Sequence, residues 1–269
     1  MRRSFHLLFC TVLCATSAAL AACGGGNQTQ QTATQTQTAA PAPASGGAAA
    51  PAAPVDAATA ATITGKVTFA GTPPPAQPVK LSSDPYCQKA NPDLKTETEV
   101  VGSDGSVGNV FVYVKDGLGN RTFPTPSEPV VLDQKGCHYT PHVLGIQIGQ
   151  PLQIVNSDDT LHNVHGLAKT NKEFNQGQPI QGMKMTHTFS TKEVMIPFKC
   201  DVHGWMNAWI GVLDHPYYAV TSTDGTFSLK GLPPGTYTIE AWHEKLGTQT
   251  QTVTVGEKET KDVAFTFKA

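Results

Sequence analysis

The chain reads as all-β, and three observations carry that expectation. From Ile63 onward no stretch keeps the apolar period of a helix. Short β-branched and aromatic runs recur instead, punctuated by Gly, Pro, Asn and Asp. Two of the breaks, Thr223-Asp224-Gly225-Thr226 and Gly231-Leu232-Pro233-Pro234-Gly235, carry turn chemistry that leads from one strand into the next. Many short strands at this spacing predict antiparallel sandwiches, and residues 63–269 suffice for one large or two small ones.

In chain order the first expected strands are Val67–Phe69, Val110–Val114, Val130–Leu132, the run Leu144–Val155, Val194–Phe198 and Trp209–Leu213. Asp214-His215-Pro216 then interrupts the pattern. A second set follows at Phe227–Leu229, Tyr237–Trp242, Val253–Val255 and Val263–Phe267. The expected division is therefore a leader at 1–22, a tether at 23–61, one sandwich at 62–213 and a smaller one at 214–269.

The leader has a positive start, Arg2-Arg3, an apolar run from Phe5, and small residues at its end, which is the pattern of a secretory signal. Leu20-Ala21-Ala22-Cys23 resembles the lipobox of bacterial lipoproteins. That resemblance implies cleavage before Cys23 and lipidation of its thiol, with ordinary cleavage or an uncleaved anchor as alternatives. The expected location is a bacterial membrane, facing the periplasm or the cell surface. Residues 24–61 are Gln/Thr repeats and Ala/Pro/Gly with one charged side chain, Asp56. Such a stretch has nothing to bury and reads as a disordered tether with a reach of roughly 35 Å. It also explains why only 15% of the 269 residues are charged. A net charge of −2, with no basic stripe, excludes nucleic acid as a partner.

Of the six cysteines, Cys10 and Cys14 lie in the leader and Cys23 is the lipid site. Cys87, Cys137 and Cys200 remain, an odd number for an oxidising compartment. Cys200-Asp201-Val202-His203-Gly204-Trp205-Met206 sets a thiol, an imidazole and a thioether within seven residues. The entering strand alternates Val194, Ile196, Phe198, Cys200, which points all four to the core side. Asn156 to Val164 offers a further donor, His162, just after another strand. One Cys, two His and one Met form the ligand set of a type 1 copper site, where the axial thioether helps set the potential.

His162-Asn163, preceded by Asn156, together with the C-x-x-H-x-x-M loop at Cys200, His203 and Met206, resembles the cupredoxins, and its short loop is most like that of amicyanin. The resemblance covers residues 143–213 and implies a Greek-key sandwich with one copper. His162, Cys200 and His203 then become equatorial ligands, Met206 the axial one, and Asn156 and Asn163 braces for the ligand loops. His203, on the loop, becomes the partly exposed edge through which electrons leave. With Cys200 assigned to the metal, Cys87 and Cys137 make sense as a disulfide. A competing reading is a second metal site built on Cys137-His138-x-x-x-His142.

Weaker candidates remain. His165, three residues beyond His162, reads as exposed or structural, with an alternative-ligand role open. Met183, Met185 and His187 alternate on one face and read either as a Cu(I) loading patch or as packing. Trp205 and Trp209 read either as a docking surface or as core plugs. The stretch from Thr223 to Gly247 resembles the carboxypeptidase regulatory-like, transthyretin-type β-sandwich, which implies a non-catalytic module over 215–269. His243-Glu244 reads as structural there. The function expected is single-electron transfer to a redox protein partner by a lipid-tethered, non-enzymatic copper protein. Copper delivery without redox turnover and a metal-free structural sandwich are the alternatives.

Overall fold

A computed structural model describes residues 55–268 apart from 74, 82 and 99. The leader, Cys23 and all of the tether before residue 55 lie outside the described residues. The first elements are strand β1 (Ala61–Ala70), helix α1 (Pro85–Ala90), and strands β2 (Phe111–Asp116), β3 (Val130–Gln134), β4 (Tyr139–Thr140) and β5 (Val143–Gln147). They continue with β6 (Leu152–Asn156), β7 (His162–Gly166), β8 (Phe174–Gln178), β9 (Lys184–His187), β10 (Glu193–Lys199) and β11 (Asn207–Leu213). The last five are β12 (Tyr218–Val220), β13 (Thr226–Leu232), β14 (Gly235–His243), β15 (Gly247–Val255) and β16 (Thr260–Lys268).

The fold is all-β, in two sandwiches, but the chain is shared between them differently from the expected split at Leu213. Strands β3 to β11 form one sandwich from the sheets β5-β11-β10-β7-β8 and β4-β3-β6-β9. The other combines β13-β1-β16 with β12-β2-β14-β15. Strands β1 and β2, expected in the first sandwich, thus belong to the second. The physical reason is strand pairing: β1 runs beside β16 from Thr62↔Thr260 to Ala70↔Lys268, and β2 lies between β12 and β14. We call the two parts the inserted sandwich (β3–β11) and the split sandwich (β1, β2, β12–β16). The sheets are mixed, since β1–β16, β3–β6 and β5–β11 pair in parallel.

Each sandwich follows from period-two burial. In β1, Ala61, Ile63, Val67 and Phe69 turn inward, and β16 answers with Phe265 and Phe267. In the inserted sandwich, Leu132, Ile146, Leu152, Ile154, Phe189 and Phe198 fill the core. A third apolar cluster joins the two parts: Phe111 and Tyr113 of β2 meet Val143, Met195 and Leu213. Trp209 and Trp242 face each other there with ring centroids 5.1 Å apart. Glu244 reaches across to His142, and both side chains are buried.

This seam uses the outer faces of two sheets, so side chains must leave room for one another. A Cβ on Gly211 would sit 2.5 Å from Phe111 Cζ and 2.6 Å from Met195 Cε. Met195 itself has a positive φ of 61° in a β-bulge of β10. The bulge corrects the expected strand phase: Ile196, Phe198 and Cys200 face the inserted core, whereas Val194 turns to the seam. A bulge adds one residue to a strand and flips the facing of everything before it.

Segment 71–110, between β1 and β2, is shared: its earlier part packs on the inserted sandwich, and Val101, Val107 and Val110 return to the split core. Leu81, Cys87 and Leu94 enter the inserted core. Cys87 is disulfide-bonded to Cys137. Among the described residues no helix is long and apolar enough to cross a membrane. Filling the seam is the direct test of its packing: Gly211→Val is expected to destabilise the fold by about 1–3 kcal/mol, read as a lower urea midpoint.

Candidate metal centre

Two connections at one end of the inserted sandwich deliver the donor side chains. Strand β7 opens with His162, paired to Gln178 of β8. Strand β10 ends at Lys199, and residues 200–206 then turn back into β11. Two backbone bonds close that turn, Cys200 N–H to Met206 O at 3.1 Å and Met206 N–H to His203 O at 2.9 Å. The backbone N–H groups of Asn163 and His203 point at Cys200 Sγ, at 3.5 and 3.4 Å. His162, Cys200 and His203 each offer one donor atom, and these lie within 4.8 Å of one another. All three are buried. Met206 is buried in the same apolar cluster as Cys200.

Behind each imidazole stands a carboxylate. His162 Nε2–H donates to Asp158 Oδ2 and His203 Nε2–H to Asp84 Oδ2, both at 2.9 Å. Because an ionised carboxylate only accepts, both ring protons belong on Nε2 and both Nδ1 atoms turn inward as lone pairs. Asp158 is fixed by the N–H groups of Gly136 and Cys137, each at 2.8 Å. Asp84 caps α1, accepting from Cys87 N–H at 3.0 Å, and also takes the Thr160 hydroxyl at 3.3 Å. Burial opposes the charge on both carboxylates, but these donors outweigh it and hold both below the ordinary carboxylate pKa.

The inner Nδ1 atoms of His162 and His203 lie 2.9 Å apart. Two lone pairs cannot face each other at that distance without a cation between them, either a proton or a metal ion. Metal–nitrogen bonds of about 2.0–2.1 Å at a tetrahedral angle would place the nitrogens roughly 3.3 Å apart. The pair therefore needs to open by only a few tenths of an ångström to fit an ion. Burial pushes the Cys200 thiol up, but His162, His203 and the two N–H groups more than reverse this and bring it down to about 6. The sulfur is a thiolate at neutral pH, the form that binds metals. In short, the donor set fits a soft or borderline cation.

The other expected residues fall as follows. Asn156 braces the turn before His162: its Nδ2 donates to Thr160 O and Gln178 O, and its Oδ1 accepts from Asp158 N–H. Asn163 ties the two donor-bearing connections together, since its Oδ1 accepts from Asp201 N–H at 2.5 Å. His165 lies away from the cluster, between Asp201 and Glu173. His187 stacks on Phe174 with centroids 4.0 Å apart, and Met185 packs on the core, so this face serves packing. Trp205 leans on His203 at 5.0 Å, whereas Trp209 belongs to the seam. With Cys137 in a disulfide, the alternative site at Cys137-His138-His142 has lost its thiolate.

One expectation is corrected. His203 is not a partly exposed edge but only 2% exposed. Segment 71–110 covers it, placing Asp84 on its outer nitrogen and Cys87 Sγ at 3.8 Å. Sequence reasoning gave no role to Asp84 or Asp158. Asp84-Pro85 does read as a helix start, but nothing in the sequence says that the helix lands on a histidine more than a hundred residues away.

Residues 207–268 match the family described as the carboxypeptidase regulatory-like domain. That match covers β11 to β16, and so omits the two strands that complete the split sandwich. No curated protein matches the chain. Among solved structures, the copper-containing nitrite reductase of Thermus scotoductus SA-01 aligns at 20% identity and a TM-score of 0.31 over 37% of this chain. The chain spans 25% of that reductase's length. An amicyanin variant in its Cu(I) form aligns at 18% identity and a TM-score of 0.29, over 38% of this chain and 97% of its own. A purple cupredoxin of Nitrosopumilus maritimus aligns at 24% identity and a TM-score of 0.25, over 28% and 81%.

The thiolate is the most direct quantity to check. In the metal-free protein, ultraviolet thiolate absorbance of Cys200 should grow in as pH rises through about 6 rather than 9.0. His162→Leu should move that midpoint upward, since His162 is the strongest group holding it down.

Proposed function

We propose that this is an exported, membrane-tethered protein whose Cys200 centre holds one copper ion and carries single electrons. The observation that carries the reading is the convergence of the Cys200 thiolate and two inward-facing imidazole nitrogens in a buried, preformed cluster. His162, Cys200 and His203 would hold the ion and Met206 would supply the weak fourth donor. Copper bound there supplies a one-electron change between Cu(II) and Cu(I) within a ligand set of the type 1 kind.

The protein's own part is to hold the donors still and keep water out. Asp84 and Asp158 fix both ring planes and both tautomers, which is how outer hydrogen bonds orient metal ligands. Asn163 locks the loop that carries Cys200. Burial of the donors favours retention over exchange, which supports an electron carrier above a delivery protein. A purely structural sandwich gives no reason to hold a thiolate against two imidazoles. Leu161 and Val202, each one residue before a ligand histidine, are 44% and 48% exposed and offer apolar surface to a redox partner. Export and lipid anchoring at Cys23 rest on the leader and on the lipobox-like sequence.

Cu(II) added to the metal-free protein should produce an intense blue or green thiolate charge-transfer band, absent in Cys200→Ser. No band with Cys200 fully reduced would sink the reading. Voltammetry should then show reversible cycling without loss of metal, which an exchanging delivery protein would not give. Asp158→Asn, which weakens the acceptor behind His162, should lower copper affinity about 10–100-fold, measured by competition with a chelator.

A further inference from the structure

The disulfide lies against the outer edges of both ligand histidines. Cys87 forms a donor cluster with Asp84 and His203, and Cys137 forms one with Asp158 and His162. Cys87 Sγ is 3.8 Å from His203 Nε2. The two half-cystines also hold the two carboxylates, since Cys87 N–H binds Asp84 and Cys137 N–H binds Asp158. Both sulfurs are fully buried. Nothing in the Cys200 centre uses these sulfurs, yet they share its walls.

We propose that Cys87 and Cys137, once reduced, form a second metal site, a bis-thiolate seat for Cu(I) behind the ligand histidines. Reduction takes two electrons from an external dithiol. One thiolate of the donor attacks a sulfur of the bridge, the Cys87–Cys137 bond breaks, and the donor leaves as its own disulfide. The two thiols then give up two protons as the cation binds.

The class of cation follows from what the donors have left to give. His203 and Asp84 already satisfy each other, as do His162 and Asp158, so the two sulfurs are the donors set free. Zinc in a structural site takes four strong ligands in a tetrahedron. Soft thiolates select Cu(I), which leaves the pair suited to it.

Access requires the part of segment 71–110 around α1 to lift from the inserted sandwich. Besides the bridge and the packing of Val79, Leu81, Tyr86 and Leu94, the side-chain anchors of this part are polar. They are Asp84 to His203 and Thr160, Tyr86 hydroxyl to Asp158 at 3.3 Å, and Asn91 Nδ2 to Gly136 O at 3.1 Å. The site therefore exists in the dithiol protein and vanishes in the disulfide protein. It does not depend on metal at Cys200.

The test is a Cu(I) titration of the full-length protein in competition with bicinchoninate, before and after treatment with dithiothreitol under native conditions. Cys200→Ser removes the Cys200 centre from the count. In that variant the disulfide form should take up no copper at the bridge, and the dithiol form should take up one equivalent. Bound Cu(I) should protect both cysteines from alkylation, and Cys87→Ser with Cys200→Ser should remove the uptake. Should Cys200→Ser not fold, the wild-type count provides the same reading, rising by one equivalent on reduction. Equal uptake by the two forms overturns the proposal, as does a bridge that the dithiol cannot open in the folded protein, or tighter binding of zinc than of Cu(I). Failure of the Cys200 reading would instead appear as a missing charge-transfer band with this uptake intact.

Discussion

A carboxylate held behind each imidazole is the contact on which the rest of this end of the molecule depends. Without Asp158 and Asp84, neither ring has a fixed proton, and either nitrogen could turn toward Cys200. With them, the protons are drawn outward and the lone pairs inward, 2.9 Å apart. The depressed thiol depends on that arrangement, since His162 and His203 are the groups that do most to lower it. A buried carboxylate is costly unless fully hydrogen-bonded. Here the N–H groups of Gly136 and Cys137 do that for Asp158, and the start of α1 does it for Asp84.

Those supports come from three separate stretches of chain. Asp158 belongs to the inserted sandwich, Cys137 to its β3–β4 turn, and Asp84 to a segment that leaves the split sandwich. The disulfide joins the second and third of these directly. One covalent link thus fixes the distance between two acceptors that never touch each other. The split sandwich contributes at one remove, since β1 and β2 hold both ends of the segment that carries Asp84.

The donor residues proposed for the metal were legible in sequence because their spacing is local. Cys200, His203 and Met206 share one short turn, and His162 stands at a strand start, so alternation and loop length were enough to nominate them. The all-β class was legible for the same reason, as was the turn-rich character of the C-terminal stretch. What lay hidden was non-local. No pattern within 61–70 says that this strand will pair with 260–268, and no pattern around Asp84 says that its capping helix will cover His203. The strand phase of Val194 also misled, because a bulge at a methionine leaves no mark of its own, unlike one at glycine. Exposure of His203 is expected from its place on the loop, and it fails because a segment outside the stretch covered by the resemblance packs over it.

The insertion of one sandwich within another also fixes an order of assembly. Strand β1 emerges during synthesis about 200 residues ahead of its parallel partner β16. Every strand of the inserted sandwich lies between them and needs only its own neighbours. Short loops close before long ones. The donor cluster can therefore be complete while the split sandwich still lacks an edge, with β1 as an open strand awaiting its partner. Such an edge invites pairing with another chain. The hazard in making this protein is thus concentrated at β1, the central strand of its three-stranded sheet.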